Sequence, residues 1–232
     1  MNFAERIGVF DLETTGLDVR TERVVTAFVG VLDASGAVIE STAWIADPGI
    51  EIPAIAASVH GFTTERARAE GRPAAQVVSE VVEALRALFA ADIPVVAYNA
   101  AYDFSLLHYD ALRNGVAPLS PAKPIFDPLI VDKKLDTYRK GSRRLVDACD
   151  VYGVVLDDAH EAKSDAVAAG RVMQAILAKY GEKPELQGSA AEIHDRIAVW
   201  ARHQAESYAD WAAKNGRTVS RPGSGDWPLF GG

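Results

Sequence analysis

Cysteine occurs once in the 232 residues, at Cys149, which excludes a disulfide framework and any cysteine-built zinc site. No apolar run reaches the roughly 18 residues that a membrane span needs. Positive charge is in deficit: 24 Lys and Arg stand against 32 Asp and Glu, a formal net charge of −8. Such a surface disfavours non-specific adhesion to nucleic acid, because phosphate attraction is its main sequence-independent term. The opening MNFAERIGVFDLE meets acidic residues too early for a signal peptide, so a cytoplasmic location is expected. Apolar residues are plentiful, at 49% of the chain, which gives a sizeable core and excludes wholesale disorder. The length suits one large domain. Carboxylates gathered around divalent cations do not repel phosphate, so where the acids sit matters more than their sum.

The first half reads as strands followed by helices. Ile7 to Leu12, Val24 to Leu32 and Val38 to Ile45 are apolar runs, and Asp33-Ala-Ser-Gly36 is a hairpin turn between the last two. Pro73 opens a helical stretch in which Val77, Val81, Val82, Leu85, Leu88 and Phe89 recur at helix spacing. Pro94 to Tyr98 and Ile125 to Asp127 predict two more short strands, with a helix over 103–114 between them. Further helices are predicted at about 128–137, 143–152 and 164–180. The pattern implies an α/β fold: a mixed five-stranded sheet, three antiparallel strands and then parallel ones, flanked by helices. Ser189-Ala-Ala-Glu192 is a capping-box pattern opening a long C-terminal helix. Its apolar face carries Ile193, Ile197, Trp200, Tyr208 and Trp211, and it stops near Gly216. Arg221 to Asp226 has linker composition, and Trp227-Pro-Leu-Phe230 is expected to pack back onto the fold.

Three acidic clusters sit at the ends of elements. Asp11 and Glu13 are two apart at the end of the first strand, so both point to one side. Thr14-Thr15-Gly16 follows them. Tyr98-Asn99-Ala100-Ala101-Tyr102-Asp103 follows the fourth strand, where Asn99 or Asp103 would otherwise serve as an ordinary helix cap. Asp157 to Asp165 precedes the 164–180 helix and holds His160; taken alone it is a solvated acidic loop. His108, His194 and His203 fall in helical stretches as solvent-facing or partly packed residues. Arg139-Lys-Gly-Ser-Arg-Arg144 is the one dense basic stretch, either a solvated loop or a phosphate contact.

Together, DLETTG at 11–16, NAAYD at 99–103 and H-x-A-x-x-D at 160–165 resemble the three motifs of the DEDDh (DnaQ-like) 3′–5′ exonuclease family. That family includes proofreading exonucleases of bacterial DNA polymerase III. Val59-His60-Gly61-Phe62-Thr63 and Asp127-Pro-Leu are similar to further family segments, and the likeness spans about residues 5 to 178. It implies a ribonuclease H-like fold, with residues 1–182 as the exonuclease domain and 183–232 as an added helix and tail. By the same resemblance Asp11, Glu13, Asp103 and Asp165 hold two divalent ions, and His160 is the general base. Thr14, Thr15, Gly16 and Leu17 grip the terminal nucleotide, with Leu17 as an apolar wedge, while His60 and Asn99 position substrate. Tyr102 stands where Phe is commoner, Phe62 where Ile is, and Tyr98 where a polar residue often is.

Elementary chemistry agrees with the implied cofactor. Oxygen-only donors suit Mg²⁺ or Mn²⁺, and two such ions serve in-line phosphodiester hydrolysis. The expected activity is release of nucleoside 5′-monophosphates from single-stranded or frayed DNA 3′ ends, either in proofreading with a DNA polymerase as partner or in repair as a free-standing nuclease, and with no membrane. An exoribonuclease acting on RNA 3′ ends shares every motif. An inert nucleic-acid-binding module does not need the carboxylates or His160.

Overall fold

The computed structural model describes residues 5–156, 160–217 and 227–229. β1 (Arg6–Thr14), β2 (Val24–Asp33) and β3 (Val38–Asp47) form the antiparallel meander that the leading apolar runs predict. Asp33 closes the β2–β3 turn by accepting hydrogen bonds from the Ser35 and Ala37 N–H groups. Two short helices, α1 (Ala54–His60) and α2 (Thr64–Glu70), come next. A two-residue strand, β4 (Arg72–Pro73), then pairs in parallel with the end of β3. β5 (Val95–Val96) lies parallel to β1, and β6 (Ile125–Phe126) lies parallel to β5. The sheet order is β4-β3-β2-β1-β5-β6.

The sheet therefore has six strands and not the expected five. β4 is too short to carry a period, and a close backbone approach creates it. A Cβ at position 71 would collide with the Ala46–Asp47 backbone, so only Gly71 lets the chain lie there. Glu80 then ties the edge together, accepting from the Trp44 indole at 2.9 Å and from the Arg72 guanidinium.

Helices cover both faces. β2 is buried at nine consecutive positions, and successive residues of a strand point to opposite sides. α3 (Ala74–Ala90) buries Val77, Val81, Val82 and Leu85 as their spacing predicts, and packs on β2 and β3. α4 (Ala100–Arg113) packs on α3, and α5 (Pro128–Leu135) and α6 (Leu145–Tyr152) follow. α7 (Ala162–Tyr180) crosses β1 and β2. At that crossing Gly170 faces Val9 and Leu32, and any Cβ would strike both side chains.

α8 (Ala190–Lys214) begins at the predicted capping box, Ser189 and Glu192 each bonding the other's N–H. Ile193, Ile197 and Trp200 join the main core, whereas Tyr208 and Trp211 on the same stripe stay exposed. His194 departs from expectation. It is buried, with Nδ1 3.0 Å from the Ile125 nitrogen, because α8 seals the β6 edge. Trp227 packs against the His194 ring at 5.1 Å between centroids, the two planes tilted by 43°, and Leu229 packs on the same core. Arg221–Asp226 and Phe230 lie outside the described residues.

The basic stretch is an exposed loop at Lys140 and Arg144, as one of its sequence readings has it, but two of its cations depart from both readings. Arg139 and Arg143 turn inward to the buried Asp132, at 2.5 and 2.7 Å, and the Tyr152 hydroxyl donates to the same carboxylate. Arg144 pairs with Asp147. Arg139 and Arg143 are thus spent on a buried carboxylate, which would be costly to leave unpaired. Among the described residues no helix is long and apolar enough to cross a membrane.

Candidate active site

β1, β5 and β6 run in parallel, so their carboxyl ends share one edge of the sheet. That edge collects the chemistry-bearing residues. Asp11 and Glu13 occupy the end of β1, on the same side of the strand. Asp103 lies in the first turn of α4 and Asp165 in the first turn of α7, where helix N-termini favour negative charge. One carboxylate oxygen each from Asp11, Glu13 and Asp165 fall within 4.8 Å of one another. Asp103 sits beside this group, its Oδ1 accepting from the Leu12 N–H at 3.2 Å, so α4 is fastened to β1 between the two strand carboxylates.

Crowding and burial make these acids weak. Burial, then Asp165, pushes Glu13 up to about 8. Asp11 is raised well above the usual range, by burial first and then by Asp103, Glu13 and Asp165. Asp103 and Asp165 are also raised, mainly by burial. The Asp165 Oδ1 is buried with no hydrogen-bond partner among the described residues, while its Oδ2 accepts from the His160 N–H at 3.3 Å. A cluster of raised, oxygen-only donors with an orphaned oxygen fits a hard divalent cation, whose charge would offset the repulsion.

These shifts set a pH dependence of stability. The folded Glu13 keeps its proton up to about pH 8, whereas in the unfolded chain it titrates near 4.5. Its contribution is therefore fully present below about 4.5 and is lost as the pH rises toward 8. In chelator, Glu13→Gln should flatten the fall in melting temperature across that window, gaining on the order of 1–3 kcal/mol at pH 8. Identical pH profiles for variant and parent would refute this account.

The loop after β1 is held from several sides. The β1–β2 register shifts between Glu13 and Thr14, and such a bulge re-aims the side chains that follow. The Thr14 and Tyr102 hydroxyls lie 2.5 Å apart, and Tyr102 donates to the Gly16 carbonyl at 2.6 Å. The Thr15 hydroxyl donates to Glu22 and accepts from the Arg23 N–H. Leu17, at the loop's tip, is 73% exposed. His60 is buried near the Thr14 backbone, its Nε2 without a hydrogen-bond partner among the described residues, and the Phe62 N–H donates to its Nδ1 at 3.2 Å. Burial lowers the His60 pKa, favouring the neutral ring.

Asn99 does not cap α4 with its side chain. It is exposed at φ +62°, ψ +43°, a left-handed conformation that asparagine tolerates well. Asp127 does the capping from β6, accepting from the Asn99 and Ala100 N–H groups at 3.1 and 3.0 Å, and from Leu129 N–H at the start of α5. Its burial raises its pKa to about 6. His160 is exposed at φ +69° beside Asp165; Asp157 to Ala159, in the same acidic cluster, lie outside the described residues. Sequence reasoning brought these residues to one edge but missed the Glu22 and Tyr102 hydrogen bonds and the capping by Asp127. Only the Asp127-Pro128 pair, an acid before a proline at a helix start, carried a local signal for the last.

The exonuclease family model (RNase T type) matches residues 9–173. The chain is 29% identical over 180 residues to a PolC-type DNA polymerase III of Streptococcus suis, covering 77% of this chain and 12% of that protein. A PolC-type DNA polymerase III of Streptococcus pneumoniae is 27% identical over 177 residues, covering 75% and 11%. The chain thus spans about an eighth of the length of these relatives. The fold matches Escherichia coli Exonuclease I in complex with a dT13 oligonucleotide, at TM-score 0.65 and 20% identity, covering 76% of this chain and 42% of that one. Exonuclease I of Methylocaldum szegediense matches at TM-score 0.61 and 19% identity, covering 88% and 44%.

Proposed function

Because the chain belongs to the exonuclease family of RNase T and its DnaQ-like relatives, we propose that it is a divalent-metal-dependent 3′–5′ exodeoxyribonuclease that releases nucleoside 5′-monophosphates. The observation that carries this reading is the convergence of Asp11, Glu13 and Asp165 within 4.8 Å, with Asp103 fastened beside them. Those four residues would hold the ions, Mg²⁺ or Mn²⁺. Bound there, two such ions supply positive charge that draws in the phosphodiester and offsets charge developing on its oxygens.

The remaining work falls to the chain's own side chains. His160 accepts the proton of the attacking water, and its exposure beside Asp165 leaves it free to meet substrate. The water's oxygen bonds to phosphorus and the 3′ oxygen of the penultimate nucleotide leaves. Thr14 to Gly16, pinned by Tyr102 and Glu22, form a rigid seat for the terminal nucleotide. Leu17 is exposed enough to wedge under its base. His60, neutral and close to Thr14, and Asn99, exposed at the end of β5, flank that seat as substrate-positioning groups.

DNA is preferred over RNA because the matched relatives are a DNA polymerase and a nuclease bound to a deoxyoligonucleotide. The likeness to PolC supports work on 3′ ends that a polymerase leaves, in proofreading or repair, in the cytoplasm. The test uses 5′-labelled DNA and RNA strands bearing a 3′-hydroxyl or a 3′-phosphate, with a covalently closed DNA circle beside them. DNA with a free 3′-hydroxyl should shorten stepwise, unpaired ends faster than matched blunt ends, and the circle should survive. Cleavage of the circle would mean endonuclease action and would overturn this reading of the site; faster loss of RNA would assign the enzyme to RNA.

A further inference from the structure

The outer half of α8 carries a feature that the catalytic edge does not use. Between α5 and α8 runs an open groove of about 530 Å³, lined by Lys133, Lys134, Trp200, His203, Tyr208 and Trp211 among others, with no carboxylate in its lining among the described residues. Tyr208 and Trp211 stack at 5.8 Å between centroids and stay 54% and 45% exposed. Cations lie over the rings: Lys134 is 5.9 Å from the Trp200 centroid, and Arg217 is 5.1 Å from that of Trp211. In a chain of net charge −8, a wall of aromatics and cations free of acids is complementary to a polyanion that has ring faces to stack. Glu206 and Asp210 belong to α8 but do not line the groove.

Its direction matters as much as its chemistry. α8 runs antiparallel to α5: Trp200 meets Lys134, and further along Gln204 donates to the Ile130 carbonyl at 3.0 Å. Rising numbers in α8 thus follow α5 back toward Asp127, whose carboxylate caps the Asn99 loop at the catalytic edge. Tyr208 and Trp211 lie on the stretch that continues that way. From Trp200 to Trp211 is about 16 Å at the helical rise, enough for a few stacked nucleotides.

We infer that this groove is a second nucleic-acid site, binding the single strand upstream of the end being degraded. It rests on the exonuclease reading for the identity of the strand, but not for its chemistry. Single strands are held by aromatic platforms in cationic grooves, with little demand on sequence. A protein partner is the competing occupant, and an acid-free cationic lining favours the polyanion.

The experiment measures binding of oligothymidylate and oligouridylate of four and of sixteen nucleotides to the whole chain, in calcium or chelator so that no strand is cut. Degradation of the four-nucleotide DNA in Mg²⁺ is followed separately. The longer strand should bind at least about tenfold more tightly and quench tryptophan fluorescence. Tyr208→Ala/Trp211→Ala should erase most of that advantage, since base stacking on each aromatic is worth about tenfold. Lys134→Glu, which keeps both rings, should weaken the long strand and reduce its salt dependence. Neither variant should slow degradation of the short strand. A length advantage that survives in both variants, or is absent from the parent, overturns the proposal and leaves the groove to a protein. Failure to degrade any strand with the length advantage intact would instead count against the exonuclease reading. Equal effects on the DNA and RNA arms indicate stacking without sugar choice, as the proposal requires; an effect confined to a loss of fold in the double variant is judged by Lys134→Glu.

Discussion

Asp11→Asn should yield a folded protein with less than about one-thousandth of the parent's nuclease activity and, in chelator, a higher melting temperature. The loss exceeds the roughly 10–100-fold cost of disturbing groups that merely support metal ligands, because Asp11 stands at the centre of the cluster. Burial, Asp103, Glu13 and Asp165 all disfavour its charge. Asparagine keeps the shape and removes that charge, so the folded state loses repulsion that the unfolded chain never had. A gain of on the order of 1–2 kcal/mol corresponds to a few degrees for a chain of this size. The parent should gain stability on adding Mg²⁺ or Mn²⁺, and the variant should gain much less. Melting curves with and without ions, beside a nuclease assay, decide the matter. Parent-like turnover by the folded variant would sink the metal reading, and a fall in melting temperature would sink the electrostatic one.

His160→Ala should lower turnover by roughly 10²–10⁴-fold, the usual worth of a general base, while the stabilisation by divalent ions stays at the parent's level. The contrast with Asp11 is the point of the measurement. The imidazole is not among the clustered donors, and the backbone N–H that bonds Asp165 survives any side-chain change. Because position 160 sits at φ +69°, a conformation asparagine accepts readily, His160→Asn keeps the backbone and should lose as much activity as the alanine variant. Retained activity together with a lost ion response would reverse the assignment and make His160 a ligand.

The strands β1 to β3, the helices α3 and α7 and the capping box of α8 were legible because their signals are local: alternation or helical spacing, a turn, a cap. The carboxylates were legible as motifs for the same reason, since Asp11 and Glu13 share a strand face and Asp103 and Asp165 each lie in the first turn of a helix. The short helices α1 and α2 escaped because seven residues are too few to show a period. Other features depend on partners distant in sequence. β4 exists through the fit of Gly71 against the Ala46–Asp47 backbone. Asp127, and not Asn99, caps α4 across 28 residues of chain. Arg139 and Arg143, basic by composition, are drawn inward by Asp132, and His194 is buried because α8 closes on β6. The sequence by itself determined which acids meet, since each motif places its own side chain at the end of an element. Tertiary structure alone decided how weak those acids are and which cations remain at the surface, because burial and pairing depend on what packs against a residue and not on its neighbours along the chain.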